Sequence, residues 1–534
     1  MNKKLVSLLL VAVLAVAVIL VAVFKIPMKG NNEETLSGEG IESPNGETAV
    51  ADSRPAIDKE SVYIWYSDDS LTNYINGAAV EYNDQHDTRI VPVLASSVEY
   101  LEEINKTTIE SDAPDLYVLS HDLLTKAYLG GLAKPISMDA DTFSQNYIGQ
   151  AKNSVSYRNM LLGYPLSFET TAFLYNETFL KEMAIHALDL ENPDPVPEEA
   201  AIPAPTPTPA ATSTPAPGAT PTPEATPTPE PTPTPVPYSD QEISKKIQDI
   251  LPKTVDDIKT LGDTFDAPEG VEAFMDWDVN DLFFNYFFIG DSVILGGDEG
   301  WDVNNINIYN ENTITSLEAF QQLNQFFSVD SENCDYDSIL QEFIDGKIVF
   351  TVATTDAIGF IEKAKADGTF AYNYGVMMIP EMSENIDTRS LSITNCVVIN
   401  PFSNHDEIAE DFARFLTTEY AGLLYSRSGK VPATANVEYD YPAFSVFALE
   451  YGYSMPLPKI MQTSNFWVEL EAVFSDVWDG DDANARLKQL AEKMVYQVRG
   501  EETTLAVIIP KEAEEEEEEY IDEAAAIAEA QAEE

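Results

Sequence analysis

One carboxylate stands out in the sequence because of its apolar surroundings. The segment Gly163–Asn176, GYPLSFETTAFLYN, is strand-like and mostly apolar, and it carries Glu169 near its middle. A lone carboxylate in an apolar core is costly unless it is hydrogen-bonded, protonated or solvated. We therefore expect Glu169 to face a cleft. A carboxylate placed in this way can bind a hydroxyl-rich ligand through charge-assisted hydrogen bonds.

Adjacent acidic residues offer a second candidate chemistry. Asp68 and Asp69 form one pair and Asp481 and Asp482 another, and such pairs can serve glycoside hydrolysis or bind calcium. Neither pair follows the EF-hand spacing. In a chain this acidic, pairs of acidic residues are also expected on the solvated surface. Each pair is therefore either a functional site or ordinary surface.

The signatures of several enzyme classes are missing from the sequence. It contains no GxxxxGK[ST] loop for a nucleotide phosphate, no GxSxG nucleophile elbow and no HExxH zinc motif. The four histidines are widely separated: His86, His121, His186 and His405. We predict no catalytic residue, no metal site, no cofactor and no enzymatic activity.

The net charge narrows the range of partners. The 534 residues include 91 acidic and 30 basic side chains, which gives a formal net charge of -61. Such a field repels nucleic acid and anionic lipid headgroups, so we expect neither as a partner of the folded body. The chain is too long for a single core, which predicts two lobes or domains with accessory segments. The two cysteines, Cys334 and Cys396, are expected to be free buried thiols.

The amino-terminal segment has the composition of a membrane anchor. After MNKK, an uninterrupted apolar run extends from Leu5 to Phe24, and at 1.5 Å per residue it spans about 30 Å, the thickness of a bilayer's hydrocarbon core. KIPMKG follows directly, without the small residues of a cleavage site. We therefore predict residues 1–29 to be an uncleaved transmembrane anchor. The polar residues 30–60 are predicted to be a flexible tether.

Beyond the tether, segments of strand composition alternate with segments of helical period. Strand candidates include VYIWYS, RIVPVLA, DLYVLS, KIVFTVA and SLSITNCVVIN, and helix candidates include LTNYINGAAVEYND and DANARLKQLAEKMVYQV. This alternation predicts an α/β fold with mostly parallel sheets. In such folds the ligand crevice lies at the carboxyl ends of strands.

A proline-rich segment interrupts the alternation. Proline at nearly every second position between Ile202 and Pro237 favours extended polyproline II and cannot form a core. We predict a disordered insertion at about 193–237. It is either a tolerated surface excursion or a stalk that engages the cell wall or a partner. Residues 500–534 are predicted to be an acidic tail.

Four stretches carry motifs in a fixed order along the chain: SDAPDLYVLSHDLLTKAYLGGLAKPI, GYPLSFETTAFLYN, YNYGVMMIPEM and MPLPKIMQTSNFW. Together they resemble the maltodextrin-binding members of the extracellular (family 1) solute-binding proteins of ABC importers. SDAPDLYVLSHDLLTKAYLGGLAKPI is similar to the family's PDI and AHD region, and GYPLSFETTAFLYN to its YPIAVEALSLIYNKDLL strand. YNYGVMMIPEM is similar to NYGVTVLP, and MPLPKIMQTSNFW to the closing segment MPNIPQMSAFW. The similar motifs run from Ser61 to about Val498, interrupted by the proline-rich insertion.

The resemblance implies a two-lobed, periplasmic-binding-protein-like (type II) clamp with crossing hinge segments that closes on its solute. The implied crossings fall near Ser167, Ile379 and Glu438. The implied boundaries are 61–167 and 383–438 for lobe 1, and 168–382 and 439–499 for lobe 2, which carries the insertion.

The resemblance also implies a set of ligand-binding residues in the cleft. Acidic cleft positions of the family match Asp69, Asp122, Glu169 and Asp278, its closing-segment tryptophan matches Trp467, and Trp277 is a further aromatic candidate. Asp68, Asn280 and Asp356 complete the predicted site.

The chain departs from the family's pattern at several cleft positions. The family's lysine is Ser70 here, its arginine is Leu123, two of its tryptophans are Leu119 and Asp356, and a tyrosine is Asn280. The predicted pocket has lost cations and aromatic platforms while keeping its acids. We therefore expect a neutral or cationic ligand rather than an anion, and one other than a maltodextrin.

We predict a membrane-tethered extracellular protein that captures a small polar ligand, with a neutral carbohydrate as the first expectation, and delivers it to ABC permease subunits. Two alternatives stay open. One is an extracellular sensing or scaffolding protein that passes ligand occupancy to a signalling partner. The other is a glycan hydrolase built on an acidic pair.

Overall fold

A computed structural model describes residues 60–110, 113–192, 238–327, 329, 334–383, 385–460, 465–500 and 502–509. The predicted anchor, nearly all of the tether, the predicted insertion and most of the acidic tail lie outside the described residues. Among the helices that the structure does describe, none combines the length and the apolar character needed to cross a bilayer.

The strands carry the framework of the molecule. In chain order they are β1 (Glu60–Tyr66), β2 (Thr88–Leu94), β3 (Leu116–Ser120), β4 (Ser156–Tyr157), β5 (Met160–Leu161), β6 (Tyr164–Asn176), β7 (Ala273–Met275), β8 (Ile294–Leu295), β9 (Ile306–Asn307), β10 (Ile348–Thr354), β11 (Tyr374–Met377), β12 (Leu391–Ile399), β13 (Val431–Pro432) and β14 (Met455–Pro456).

Helices fill the connections between the strands. They are α1 (Thr72–Gln85), α2 (Tyr100–Glu110), α3 (Leu124–Leu129), α4 (Ala140–Asn146), α5 (Gly149–Val155), α6 (Glu177–Glu191), α7 (Asp240–Ile250), α8 (Val255–Thr264), α9 (Leu282–Asn285), α10 (Glu311–Phe327), α11 (Tyr336–Ile344), α12 (Ala357–Asp367), α13 (Asp406–Thr417), α14 (Leu424–Ser428), α15 (Ala443–Tyr453), α16 (Phe466–Trp478) and α17 (Ala483–Arg499). Short 3-10 helices span Asp69–Leu71, His121–Leu123, Tyr286–Phe288 and Ala421–Leu423.

The main sheet has the order β2-β1-β3-β12-β6-β10-β7, with β11 and β13 also paired to β6 and β14 paired to β12. The prediction of a mostly parallel sheet is wrong. The outer pairs β1 with β2, β1 with β3, and β7 with β10 are parallel, but β12 runs antiparallel to β3 and β6 runs antiparallel to β10, β11, β12 and β13. The predicted alternation of strands and helices is confirmed.

Strand β6 contributes to two hydrophobic cores. Leu166 and Phe168 belong to a core that also contains Val62 and the rest of the buried face of β1. Phe173 and Tyr175 belong to a second core. The strand is thirteen residues long and all of them are buried except Glu169, which is half-buried. The long apolar strand with one accessible carboxylate therefore agrees with the prediction.

The chain leaves and re-enters the fold at neighbouring points around the predicted insertion. The Tyr238 hydroxyl donates to Asp189 of α6 at 2.9 Å, and the Lys246 ammonium of α7 lies 2.5 Å from Glu191. Ser239 and Glu242 form a capping box that starts α7. The two flanks of residues 193–237 are thus fixed independently of that segment.

Candidate functional site

Pairing between strands places a lysine beside the carboxylate of β6. In the antiparallel register, Val431 of β13 is opposite Phe168, and Ile393 of β12 is opposite Glu169. Because β13 runs antiparallel to β6, the residue before Val431 comes alongside the residue after Phe168. Lys430 therefore lies next to Glu169.

The Glu169 carboxylate is bound by a threonine at the end of a neighbouring strand. The Thr355 amide donates to one carboxylate oxygen at 2.8 Å, and the Thr355 hydroxyl donates to the other at 2.7 Å. The Thr170 amide adds a longer bond of 3.3 Å. Thr355 is buried and directly follows β10, which pairs with the second half of β6. The carboxylate is therefore held in a fixed orientation.

The surroundings of Glu169 make its charge sensitive to pH near neutrality. Burial raises the pKa of Glu169 to about 7, and the neighbouring Asp356 charge adds to this, whereas the Thr355 hydrogen bonds and Lys430 oppose it. Near pH 7 the group is therefore present in both forms. It can accept hydrogen bonds as a carboxylate or donate one as a carboxylic acid.

Asp68 holds the lysine in place. Its carboxylate lies 3.3 Å from the Lys430 ammonium and accepts hydrogen bonds from the amide and the hydroxyl of Ser70, at 3.0 and 2.7 Å. Burial favours a higher pKa for Asp68, but the bonds from Ser70 and the charge of Lys430 outweigh it and lower the pKa below its usual value. Asp68 is ionised at neutral pH and orients the cation.

Asp356 completes this group. Its exposed carboxylate accepts a hydrogen bond from the Tyr336 hydroxyl at 2.8 Å and another from the Thr354 hydroxyl. The Tyr336 ring stacks on Phe284 at a centroid distance of 4.6 Å, so a packed side chain sets the position of the donor. We call Asp68, Glu169, Thr355, Asp356 and Lys430 the Glu169 cluster.

The structure separates Trp277 from this cluster. Its side chain has no exposed surface, its indole N–H donates to Asn285 at 2.9 Å, and its ring meets Trp478 edge to face at 5.7 Å. It is a core residue. The prediction that Trp277 contacts the ligand is therefore corrected, because the second core surrounds the whole indole.

Asp278 and Asn280 organise the loop that follows β7. The buried Asp278 carboxylate accepts the amides of Asn280, Asp281 and Tyr336 at 3.0, 3.1 and 3.1 Å. The Asn280 side chain donates to the Cys334 carbonyl at 3.1 Å. Asp278 contributes to the cluster indirectly, since it holds the backbone of Tyr336, whose hydroxyl binds Asp356.

The remaining predicted residues lie outside the Glu169 cluster as it is defined above. Asp69 is exposed in the 3-10 helix that follows Asp68, and Asp122 is half-buried and accepts a hydrogen bond from the Ser120 hydroxyl. Trp467 is partly buried, with its ring 5.9 Å from the Tyr286 ring. Direct contact of these three with a ligand stays a prediction.

The second acidic pair has a structural role. Asp482 accepts the Ala485 amide at 2.6 Å and thereby caps α17, and Asp481 lies 2.5 Å from the guanidinium of Arg486. Capping and ion pairing account for both carboxylates. Within the described part of the chain, no group of three or more His, Cys, Asp or Glu side chains is placed to hold a metal ion.

Three cavities lie away from the Glu169 cluster. One of about 510 Å³ is lined by Lys134, Tyr164 and Arg414, and one of about 710 Å³ by Lys253, Glu450 and Tyr453. A third, of about 550 Å³, follows one face of β1. None of the three is lined by a residue of the cluster, so convergent polar groups, rather than enclosed volume, identify the site.

A known protein family matches more than half of this chain. A family profile described as bacterial extracellular solute-binding protein matches residues 77–444. The galactooligosaccharide-binding protein of Bacillus subtilis (strain 168) is 19% identical over 467 residues, which cover 83% of this chain and 91% of that protein.

Solved structures of the same architecture are similar to this chain. The extracellular solute-binding protein from Staphylococcus aureus in complex with maltose aligns with a TM-score of 0.62 at 16% identity, covering 82% of this chain and 98% of that one. A cyclo/maltodextrin-binding protein complexed with maltotetraose aligns with a TM-score of 0.61 at 16% identity, over 83% and 99%. These likenesses confirm the predicted periplasmic-binding-protein-like α/β fold.

Proposed function

This chain belongs to the family of bacterial extracellular solute-binding proteins, and we propose that it captures a neutral carbohydrate for delivery to the permease of an ABC importer. The observation that carries the proposal is the Glu169 cluster, in which Thr355 and Lys430 meet one half-buried carboxylate. The protein binds and releases its ligand without chemical change.

The chemistry of the cluster suits a ligand rich in hydroxyl groups. Asp68, Glu169 and Asp356 supply hydrogen-bond acceptors, and Lys430 supplies a donor with positive charge. A sugar hydroxyl both donates and accepts, so one molecule can satisfy acceptors and a donor that lie side by side. An anionic ligand would face three acidic side chains against a single lysine.

The relatives support the ligand class. The curated relative is named for galactooligosaccharide, and the similar solved structures hold maltose or maltotetraose. Ser70, Leu123 and Asp356 replace residues that the sequence comparison expects in a maltodextrin pocket. The proposed ligand is therefore a neutral carbohydrate other than a maltodextrin.

The proposed mechanism is closure of two lobes around the solute. Lobe 1 comprises 61–167 and 383–438, and lobe 2 comprises 168–382 and 439–499. The pairing of β6 supports a crossing near Ser167, because its first half pairs with β12 and its second half, from Thr171, pairs with β10. Glu169 then lies just beyond the crossing, where closure would bring a ligand against it.

Attachment to the membrane completes the proposal. Residues 1–29 anchor the chain and residues 30–60 tether the body on the extracytoplasmic face. The uncleaved chain should retain Met1 and fractionate with membranes. A secreted form whose first residue lies beyond Phe24 would contradict this part of the proposal without affecting the ligand.

A thermal-shift screen tests the ligand class. The full chain in detergent would be screened against neutral sugars, uronates, amino acids and small cations, because a ligand that binds only the folded state raises its Tm by mass action. We expect the neutral oligosaccharides to give the largest shifts. Shifts confined to uronates or amino acids would contradict the proposal.

A further inference from the structure

The third cavity lies outside the Glu169 cluster and has features of a separate ligand site. It has a volume of about 550 Å³ and follows the face of β1 that carries Ser61, Tyr63 and Trp65. The residues between them, Val62 and Ile64, are fully buried on the opposite face. The volume falls within the range of small-molecule sites.

Aromatic side chains stand on two walls of this cavity. Tyr63 and Trp65 line the sheet side, and Phe402, from the loop after β12, lines the other. Tyr63 is 43% exposed and Phe402 is 63% exposed. Large aromatic side chains of this kind are more often buried in a protein core. Exposed aromatic faces arranged around a concave surface are a mark of binding sites.

A buried carboxylate ties the two walls together. Asp115 is only 6% exposed and accepts hydrogen bonds from the Tyr63 amide at 2.8 Å and the Ser403 hydroxyl at 2.6 Å. The His405 ring lies between Asp115, at 2.9 Å from Nδ1, and Glu60, at 3.0 Å from Nε2. The loop that carries Phe402 is thereby pinned to β1, so the cavity is formed before any ligand arrives.

The Phe402 end of the cavity is distant from Glu169, whereas Trp65 at its other end is three residues before Asp68. Ile393 of β12 is the register partner of Glu169, whereas the loop with Phe402 begins after Ile399 at the end of that strand. At about 3.4 Å per residue, this stretch of strand separates the two places by roughly 20 Å. No residue lines both the cavity and the cluster, so a ligand at the Phe402 end of the cavity is not the ligand of the cluster.

We propose that this cavity, the β1 cavity, is a second binding site for a neutral saccharide. Its aromatic rings would cover the apolar face of a pyranose ring, and the polar groups around Asp115 and His405 would meet the hydroxyls. Among the described residues, its lining includes a carboxylate but no lysine or arginine, which disfavours an anion. The β1 cavity and the Glu169 cluster share no residue, so either proposal can be wrong while the other is right.

Fluorine NMR of the full chain in detergent, labelled with 5-fluorotryptophan, tests this site. The chain has five tryptophans, and Trp65→Phe identifies the Trp65 resonance. We expect millimolar maltotetraose or galactooligosaccharide to move that resonance in the wild type and in Glu169→Ala. Tyr63→Ala combined with Phe402→Ala should abolish the shift but retain high-affinity binding at the cluster. Tyr496→Ala, an exposed tyrosine on α17, is the matched control and should behave as the wild type.

Three results would overturn the proposal. The first is an unmoved Trp65 resonance with both saccharides. The second is a shift that the Glu169→Ala variant loses but the double variant keeps, since this would report closure at the cluster. The third is a shift of the Trp65 resonance that an aromatic peptide causes and that neither saccharide causes. Circular dichroism and Tm identify any variant that has not folded. The double variant Tyr63→Phe with Phe402→Tyr retains both aromatic rings and should therefore restore the saccharide-dependent shift of the Trp65 resonance.

Discussion

The amide and hydroxyl of Thr355 both donate to the carboxylate of Glu169, at 2.8 and 2.7 Å. These two hydrogen bonds join the middle of β6 to the residue that follows β10. They orient the carboxylate while leaving Glu169 beside Asp356 and Lys430. The predictions below follow from this arrangement.

Glu169 should make stability depend on pH. Its pKa in the folded state, about 7, lies above the usual value of 4.5, so the folded state binds more protons than the unfolded state between these values. The free energy of unfolding should fall as pH rises from 4.5 to 7, and Glu169→Gln should reduce this fall. Urea unfolding at the two pH values measures it. Glu81→Gln, on the exposed face of α1, is the control, and an equal effect of the two variants would contradict the prediction.

Lys430 should support ligand binding through its charge. Replacing it with methionine leaves Asp68 and Glu169 without their cation, so we expect binding to weaken by about 1 kcal/mol and the pKa of Glu169 to rise further. Calorimetry across pH would show both effects. Lys126→Met removes an exposed lysine paired with Glu102 at 2.6 Å and serves as the control. Unchanged affinity in Lys430→Met would show that the lysine only pairs with Asp68.

Two tryptophans should respond differently to truncation. Trp277→Ala empties a fully buried space against Trp478 and should cost about 3–5 kcal/mol of stability. Trp467→Ala should weaken ligand binding by about 1–3 kcal/mol and leave the protein folded. Chemical denaturation and calorimetry on both variants compare the two effects. A Trp467→Ala variant with normal affinity would remove that residue from the site.

The insertion should contribute little to stability. Tyr238 and Lys246 already fix the chain on the far side of residues 193–237 to α6. Replacing the segment with a short Gly/Ser loop should leave Tm within about one degree of the wild type, because the entropy of loop closure depends only weakly on length. Calorimetric scans of the two proteins test this. A large drop in Tm would show that the segment packs on the body.

Local sequence pattern was sufficient to predict the strands, the helices and Glu169, and the resemblance added Asp68 and Asp356 to the predicted site. Alternating strands and helices follow from composition and period, and Glu169 is conspicuous as the one charge in a long apolar strand. The direction of strands β6 and β12 was missed, because strand direction depends on long connections rather than on local pattern. The fold was assigned from the resemblance, which rests on several motifs that occur in the same order along the chain.

The partners of Glu169 could not be found in the same way. Thr355 and Lys430 lie far from it in sequence and are brought to it by pairing of β6 with β10 and β13. The substitution at Ser70 suggested a pocket without a cation, whereas Lys430 supplies one from another strand. Trp277 was misassigned because a tryptophan beside an aspartate gives no local signal that separates a core ring from a binding platform.

Titration calorimetry of the full chain in detergent with neutral oligosaccharides tests the central claim most directly. The wild type should bind at least one galactooligosaccharide at a high-affinity site with one ligand per chain. Glu169→Ala should weaken that binding by about 1–3 kcal/mol, with Tm showing that the variant is folded. Tight binding of uronate-containing oligosaccharides alone, or a neutral ligand whose affinity is the same in Glu169→Ala, would contradict the account.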